Sequence, residues 1–415
     1  MNNSFTSFTS FTVCNIAYLH KALALAESYN KYTNEKINIY IFDKKRELPD
    51  FSNISIIHWI EDLDIPNLMQ LAFKYDITEF STSLKPYLAL ELFEKYDKVI
   101  FFDPDTYIYK SINYILELLD KEDIVVTPHY VTPQERGIEL NQSDVGMMRF
   151  GSFNMGFFAL RKTDESKRFL RWWNERCQDL CFFETQFGLS TDQKWVTIAP
   201  CFFPTLHVSF NLGLNVAFWN MHERKINLQD NRFVVNNEFD LIFFHFSSFN
   251  DQEPYKLTKR PFGIDVSDQN NLHKVIDMYS NTSKKYINLL MNVNKKYTYD
   301  YMENGKYISP ILRRAYSSII SKLNDKHNPF NDKNIIQFAK ENYLFEKKDA
   351  LYKPEGFEEK QKYSKIFSII NKSLKFLLFI IGPVKFSNLT RLFVYLSSPR
   401  QVDGFWKFKN YKEDK

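Results

Sequence analysis

Short, wholly apolar runs alternate with helical spacings through the first two-thirds of this chain. Phe11–Ile16, Ile37–Phe42 and Ile54–Trp59 have the length and β-branched or aromatic content of strands. Tyr18–Lys31 follows the first with helical periodicity, and Ser83–Lys95 forms a helix leading into the strand Val99–Phe102. Ile124–Pro128 is a further strand, and Met147–Arg161 reads as an extended, turn-containing stretch around Asn154 and Gly156. Glu165–Leu180 is an amphipathic helix with Phe169, Trp172, Trp173 and Arg176 at helical spacing, its aromatics assigned to the core. Phe233–Phe246 supplies closing strands. Strands and helices alternating at this length predict an α/β fold, a parallel or mixed sheet with helices on both faces. After Pro261 the character changes, and Leu272–Tyr299 and Ile308–Leu323 read as polar, tyrosine-rich helices. The expected organisation is a catalytic domain over 1–262, a helical extension over 263–359 and a basic tail over 360–415.

At 415 residues the chain is too long for one ordinary domain, and 40 Phe and 24 Tyr provide a large core. The net charge of +4 is unevenly placed, because the tail from Lys360 carries an excess of +9 and leaves −5 on everything before it. Such a tail suits an anionic partner. No nucleic-acid module is recognisable, so a membrane surface is the better fit. Lys360–Arg391 places Ile366, Phe367, Ile369, Ile370, Leu374, Leu377, Leu378 and Ile381 among lysines, as in an amphipathic basic helix that lies in a bilayer interface; Pro383 interrupts it. A helix that binds a partner or packs on the domain remains the alternative. The densest apolar run, Phe376–Ile381, is far short of the roughly 20 residues that span a bilayer. The first 25 residues lack a basic segment and a continuous apolar stretch, so no secretory signal is expected. Cys14, Cys177, Cys181 and Cys201 are too scattered for a disulfide framework, and no cluster completes a zinc site at Cys177 and Cys181. A cytoplasmic location is expected, with peripheral contact at the inner face of the membrane.

Val99–Phe102 has the composition of a strand buried on both faces, and it ends in Asp103-Pro104-Asp105. The two carboxylates fall just past its carboxyl end, where open α/β sheets bind ligands. In an extended segment residues i and i+2 point the same way, so both can converge on one hard cation. Asp-Pro is also a common turn, and the pair by itself leaves that reading open.

Four segments read together are more specific: Ser83-Leu84-Lys85-Pro86-Tyr87 leading into Asp103-Pro104-Asp105; Phe153-Asn154-Met155-Gly156-Phe157; Thr191-Asp192-Gln193-Lys194-Trp195, with Asn215 to Asn220 after it; and Phe243-Phe244-His245-Phe246-Ser247-Ser248. In order and approximate spacing they resemble the nucleotide-sugar glycosyltransferases of GT-A fold, most of all the family 8-like branch found in bacterial surface-polysaccharide clusters. The resemblance covers roughly residues 8–260. It implies a GT-A-like (Rossmann-like) mixed sheet flanked by helices, with an α-helical C-terminal extension. It also implies Mn²⁺ or Mg²⁺ held by Asp103, Asp105 and His245, a donor-sugar segment at Asn154 and Gly156, and a catalytic Asp192–Gln193 pair. Ser248 stands where a glycine is usual and no Lys-Pro-Trp follows, which leaves that lysine's contact to the diphosphate open.

Beside the resemblance, each residue type has its own chemistry. Lys85 can pair with Asp103 or a phosphate, and a solvated helix lysine is the alternative. Asn154 offers amide donors and an acceptor to sugar hydroxyls, and Gly156 permits close backbone approach. Asp192 can accept from sugar hydroxyls and Gln193 can stabilise positive charge at the anomeric carbon, although the same pair can cap a helix. His245 in an apolar strand is either a ligand or a satisfied core histidine. Asn15 and Asp43, at the ends of the first two strands, are where such folds meet a uracil or ribose, or are loop caps. Trp219, Asn220 and Arg224 are assigned to the acceptor side, with a core tryptophan as the alternative.

The implied activity is metal-dependent transfer from a nucleotide diphosphate sugar, UDP-linked, to a glycan or lipid-linked glycan acceptor, with retention of configuration. Two other readings stay open: an inverting transferase, and a non-catalytic sugar- or partner-binding protein on the same scaffold. A nucleotidyltransferase is disfavoured, because residues 1–35 contain no glycine for a phosphate loop.

Overall fold

A computed structural model describes residues 7–138, 143–259, 269–323, 328–346 and 364–398, with Arg400 and Trp406. The strands run β1 (Phe8–Cys14), β2 (Ile37–Ile41), β3 (Ser55–Trp59), β4 (Lys98–Phe102), β5 (Thr106–Ile108), β6 (Ile124–Pro128) and β7 (Phe153–Arg161). There follow β8 (Phe183–Glu184), β9 (Leu189–Ser190), β10 (Leu206–Val208), β11 (Ile226–Gln229), β12 (Arg232–Val235), β13 (Phe239–Asp240) and β14 (Phe243–His245). Seven of them form one mixed sheet in the order β10-β6-β7-β4-β1-β2-β3. β7 is antiparallel to both its neighbours, while β1, β2, β3 and β4 are mutually parallel. Within the parallel run β2 and β4 are buried throughout, while the edge strand β3 leaves Ile56 exposed.

Alternation along β4 and β7 sorts their aromatics onto two sides. Phe101 stacks on Phe158 at 5.0 Å, with Phe11 and Trp173 against them. Phe102 and Phe157 point the other way, to Phe243 and Tyr29. Trp173 and Phe169 lie on α7 (Asp164–Leu180) and are fully buried, as the helical spacing predicts.

The residues group into two compact units, Met1–Ile65 with Ile77–Thr298, and Pro66–Asp76 with Tyr299–Lys415. The first holds the sheet, α1 (Leu19–Thr33), α3 (Ile77–Ser83), α4 (Lys85–Leu92), α5 (Asn113–Leu118), α6 (Asp144–Phe150), α7, α8 (Thr191–Val196) and α9 (Asn270–Leu289). The second contains α2 (Leu68–Lys74), α10 (Pro310–Ile319), α11 (Lys333–Glu341) and α12 (Ser364–Leu396). Arg313 knits it together by donating to the carbonyls of Ala72, Phe73, Tyr75 and Tyr299. The domain boundaries expected after residues 262 and 359 lie outside the described residues. The helix beyond the first of them, α9, packs against α1 within the first unit.

Three sequence expectations are corrected. Ser83–Lys95 is not one helix: α3 ends before Leu84 and α4 starts at Lys85, because Pro86 has no N–H to carry the turn through. Met147–Arg161 is not extended throughout, since Ser143 caps α6 at Gly146 N and only from Phe153 does β7 begin. In the tail, α12 comprises two helical segments within Ser364–Leu396, separated at Gly382 (φ 79°) before Pro383, where the sequence placed the interruption. By length and composition its Ile366–Leu396 stretch is enough to cross a membrane, which the longest apolar run by itself did not suggest. The polar stripe Ser368-Asn371-Lys372-Lys375 gives way to the apolar run Phe376–Ile381, and polar residues return beyond Pro383 at Lys385, Ser387, Asn388, Thr390 and Arg391.

The packing that joins distant parts of the chain beside the sheet is tight. Ile242 N donates to Gly213 O, and a Cβ on Gly213 would lie 1.9 Å from Asp240 O. Gly213→Ala is therefore expected to lower stability by about 1–3 kcal/mol, the range for overpacking, in a urea titration with unchanged slope.

Candidate functional site

β4 delivers Asp103 and Asp105 at its carboxyl end, and the turn is closed by Thr106, whose N–H and hydroxyl both donate to Asp103 O. β5 then pairs antiparallel with β14, setting Thr106 opposite His245. Phe246 N donates to Asp105 O and His245 N to Val216 O, both at 2.7 Å. Backbone pairing thus places an imidazole about 140 residues downstream against the acidic turn. His245 Nε2 lies 3.1 Å from Asp105 Oδ1 and 3.6 Å from Asp103 Oδ2. Ligand atoms of these three side chains all fall within 4.8 Å of one another. Two carboxylates and one imidazole are a mostly hard donor set, which fits Mg²⁺ and, with the nitrogen, Mn²⁺ better.

Gly156 makes that convergence possible. A Cβ there would lie 2.4 Å from His245 Cε1, 2.7 Å from Asn154 Oδ1 and 2.8 Å from Asp103 Oδ2. Sequence reasoning assigned the glycine to close donor approach; its missing side chain instead leaves room for three of the site's own groups.

The charges are compensated from within. Lys85 opens α4 and is 3% exposed, with Nζ 3.3 Å from both Asp103 Oδ1 and Asp192 Oδ2 and 3.1 Å from Met155 O. Burial would lower its pKa, but the two carboxylates outweigh that and raise it, so Lys85 stays an ammonium. Lys21, on α1, was not singled out from sequence, yet its Nζ sits 3.9 Å from Asp105 Oδ2 and over the Tyr18 ring. A lysine among Leu19, Ala22 and Leu23 on the buried side of α1 is the signal that was there to read. Burial pushes the Asp105 carboxyl up, while His245 and Lys21 pull it further down, and its net pKa falls below the usual value.

Asp192 opens α8, where Thr191 holds a positive φ of 51° and donates to Asp192 Oδ1. Gln193 beside it has both ends of its amide on the backbone, accepting from Met155 N and donating to Phe150 O. Asn154 is buried, its Oδ1 accepting from Gly156 N and from Asn215 Nδ2. Asn215, buried at φ 52°, also donates to Thr127 Oγ1, and its Oδ1 lies 3.3 Å from His245 Nδ1. The sequence places Asn215 in the third segment but gives it no role, because its contacts depend on tertiary pairing.

Other expected residues turn out to hold the scaffold. Asn220 is fully buried and binds Ala217 N, His129 O and Asn215 O, leaving no amide for an acceptor. Arg224 donates to Leu212 O and Leu214 O and faces Glu223; burial brings its guanidinium down to about 10. Trp219 is 3% exposed and packs edge-on against His245 at 5.1 Å, supporting the imidazole from below. Asp43 has a fully buried side chain that faces Arg46 and accepts from Lys44 N and Thr298 N, so it anchors a loop. Asn15 accepts from Tyr18 N as a helix cap. For Asn15, Asp43, Asn220 and Arg224 the charge or polarity expected to meet substrate is spent on local backbone, whereas the buried Trp219 Nε1 has no hydrogen-bond partner among the described residues.

No family model matches the chain. It is 27% identical over 192 residues to the uncharacterized protein YfnF of Bacillus subtilis and spans 60% of that protein's length. The uncharacterized protein YfnD of the same organism is 23% identical over 256 residues, 59% of this chain and 78% of its own. Among solved structures, the glycosyltransferase GlyE of Streptococcus pneumoniae aligns with a TM-score of 0.40 at 13% identity, over 76% of this chain and 72% of that one. The galactosyltransferase LgtC, solved with donor and acceptor sugar analogs, aligns with a TM-score of 0.38 at 12% identity, over 67% and 95%.

Because three side chains fill the place of a Cβ at Gly156, Gly156→Ala is expected to spread them apart. Manganese titration followed by electron paramagnetic resonance should show at least about tenfold weaker binding, with a stability loss of about 1–3 kcal/mol.

Proposed function

We propose that this protein is a glycosyltransferase that moves a sugar from a nucleotide diphosphate, UDP-linked, onto a surface glycan, with Mn²⁺ or Mg²⁺ held by Asp103, Asp105 and His245. One observation carries the reading: an acidic pair at the carboxyl end of a central parallel strand, closed by an imidazole and backed by two buried lysines. When bound, the ion acts as a Lewis acid that neutralises charge on the departing diphosphate. Lys85 keeps Asp103 and Asp192 in fixed orientation, so the site's dipoles are set before substrate arrives. Asp192 turns toward the donor sugar, and Gln193, clamped by Met155 and Phe150, forms a rigid wall beside it. The family 8-like segments favour retention by front-face attack, with the leaving phosphate oxygen taking the acceptor's proton.

The tail supports a lipid-linked acceptor. Ile369, Phe376 and Phe379 are 65%, 65% and 84% exposed, and the segment from Ser364 to Leu396 carries lysines and one arginine but no acidic residue. The Gly382–Pro383 break and the polar stripe of the first half favour a helix lying in the interface at the inner face of the membrane.

The test is a panel of nucleotide sugars read by mass spectrometry with manganese and with chelator. Transfer or donor hydrolysis should require the ion, and equal turnover in chelator removes the metal assignment. Asp105→Asn should abolish both activities while shifting the melting midpoint by no more than about 4 °C, since an amide fills the same space. Protein ending near Lys360 should keep donor hydrolysis and lose binding to anionic liposomes; unchanged sedimentation with vesicles removes the membrane role.

A further inference from the structure

The hydrogen bonds behind His245 have a direction, and one backbone group sets it. Gly156 N–H can only donate, so the Asn154 atom 3.1 Å away must be the amide oxygen. That fixes Asn154 Nδ2 toward His129 Nε2 at 3.4 Å. It also makes the Asn215 atom 3.0 Å from Asn154 Oδ1 the amide nitrogen, which donates in addition to Thr127 Oγ1. Asn215 Oδ1 is thereby left for His245 Nδ1 at 3.3 Å, and it can only accept. Reversing the Asn215 amide would bring two carbonyl oxygens together at the Asn154 contact. Thr127, His129, Asn154, Asn215 and His245 are all between 1% and 8% exposed, so no solvent competes for these bonds.

We infer that Asn215 is a positioning residue: relayed from Gly156 N–H through Asn154, its carboxamide keeps the proton on His245 Nδ1 and directs Nε2 at Asp103 and Asp105 as the metal-facing nitrogen. The same relay gives His129 its orientation, Nε2 accepting from Asn154 and Nδ1 facing Ser152 O at 3.3 Å. The inference rests on the metal reading above and specifies how this chain prepares its nitrogen ligand. A histidine whose far nitrogen is held by an acceptor presents its near nitrogen in one tautomer and one plane.

Asn215 sits at φ 52°, where asparagine, aspartate and glycine are tolerated and most other side chains are strained. Asn215→Asp and Asn215→Gly can therefore be compared without a backbone penalty. Aspartate keeps the acceptor toward Nδ1–H but sets an oxygen against Asn154 Oδ1 where the amide donated, and glycine loses both donor and acceptor. In the full-length protein, Mn²⁺ titration followed by electron paramagnetic resonance should show about 10–100-fold weaker binding for Asn215→Gly and a clearly smaller loss for Asn215→Asp. Equal weakening in both overturns the inference, because packing alone would then explain it. Wild type that binds no Mn²⁺, or a His245→Ala protein that binds as well as wild type, sinks the metal reading instead. Should Asn215→Gly fail to fold, ¹⁵N-histidine spectra of the Mg²⁺-bound wild type decide: a protonated Nδ1 with a bare Nε2 on His245 supports the relay, and a bare Nδ1 overturns it.

Discussion

Everything at the carboxyl edge of the sheet depends on close approach around one residue without a side chain. Gly156 lies on β7 beside the end of β4, and Asp103 N donates to its carbonyl at 2.8 Å. Three polar side chains from three separate segments fill the volume its Cβ would take. In a sheet, side chains on neighbouring strands are close enough to converge only where nothing stands between them. Removing a Cβ at the centre brings them within reach of one another. The same residue's N–H orients Asn154, so one glycine sets both the space and the polarity of the site.

Concentrating acids in a buried pocket is costly unless cations come with them. Asp103, Asp105 and Asp192 are met by Lys85 and Lys21, each nearly buried, on helices that open beside the strand ends. Lys85 is aimed by the helix break at Leu84, since a continuous helix from Ser83 would carry its ammonium elsewhere. The proline that misled the reading of that helix is thus part of how the lysine reaches the carboxylates. Two ammonium groups at fixed positions compensate and orient the carboxylates, which limits the rearrangement needed to receive a hard cation.

The sheet, the position of Asp103 and Asp105 and the buried aromatics of α7 were legible because each follows from local periodicity or from i, i+2 geometry. His245 was legible only through the spacing of four segments, since a histidine in an apolar strand has no signature of its own. Lys21 and Asn215 were not, for a physical reason: Lys21 matters because α1 packs over the acidic turn, and Asn215 because a left-handed residue beside β14 aims its amide inward. Trp219, Asn220 and Arg224 misled in the opposite way. Polar and aromatic side chains in a loop after the Asp-Gln pair suggest substrate contact, but here Asn220 and Arg224 satisfy the backbone of an irregular segment that must run through the interior, and Trp219 packs against His245.

Under the proposed function, the buried bonds of Asn154, Asp192 and Gln193 limit how a donor sugar can be recognised. Asn154 has two donors on its oxygen and one N–H engaged with His129, so a single amide hydrogen remains for a ligand. Gln193 has both ends of its amide on the backbone, and Asp192 is shared with Lys85 and Thr191. Side chains so committed discriminate by shape and by the few valences left, because bending to a new hydroxyl would break an existing buried bond. Under the proposed function, a change at Asn154 acts first on Asn215 and His245 and only then on the sugar. Metal affinity and donor preference are therefore coupled through the same amide, and neither can be tuned separately at that position.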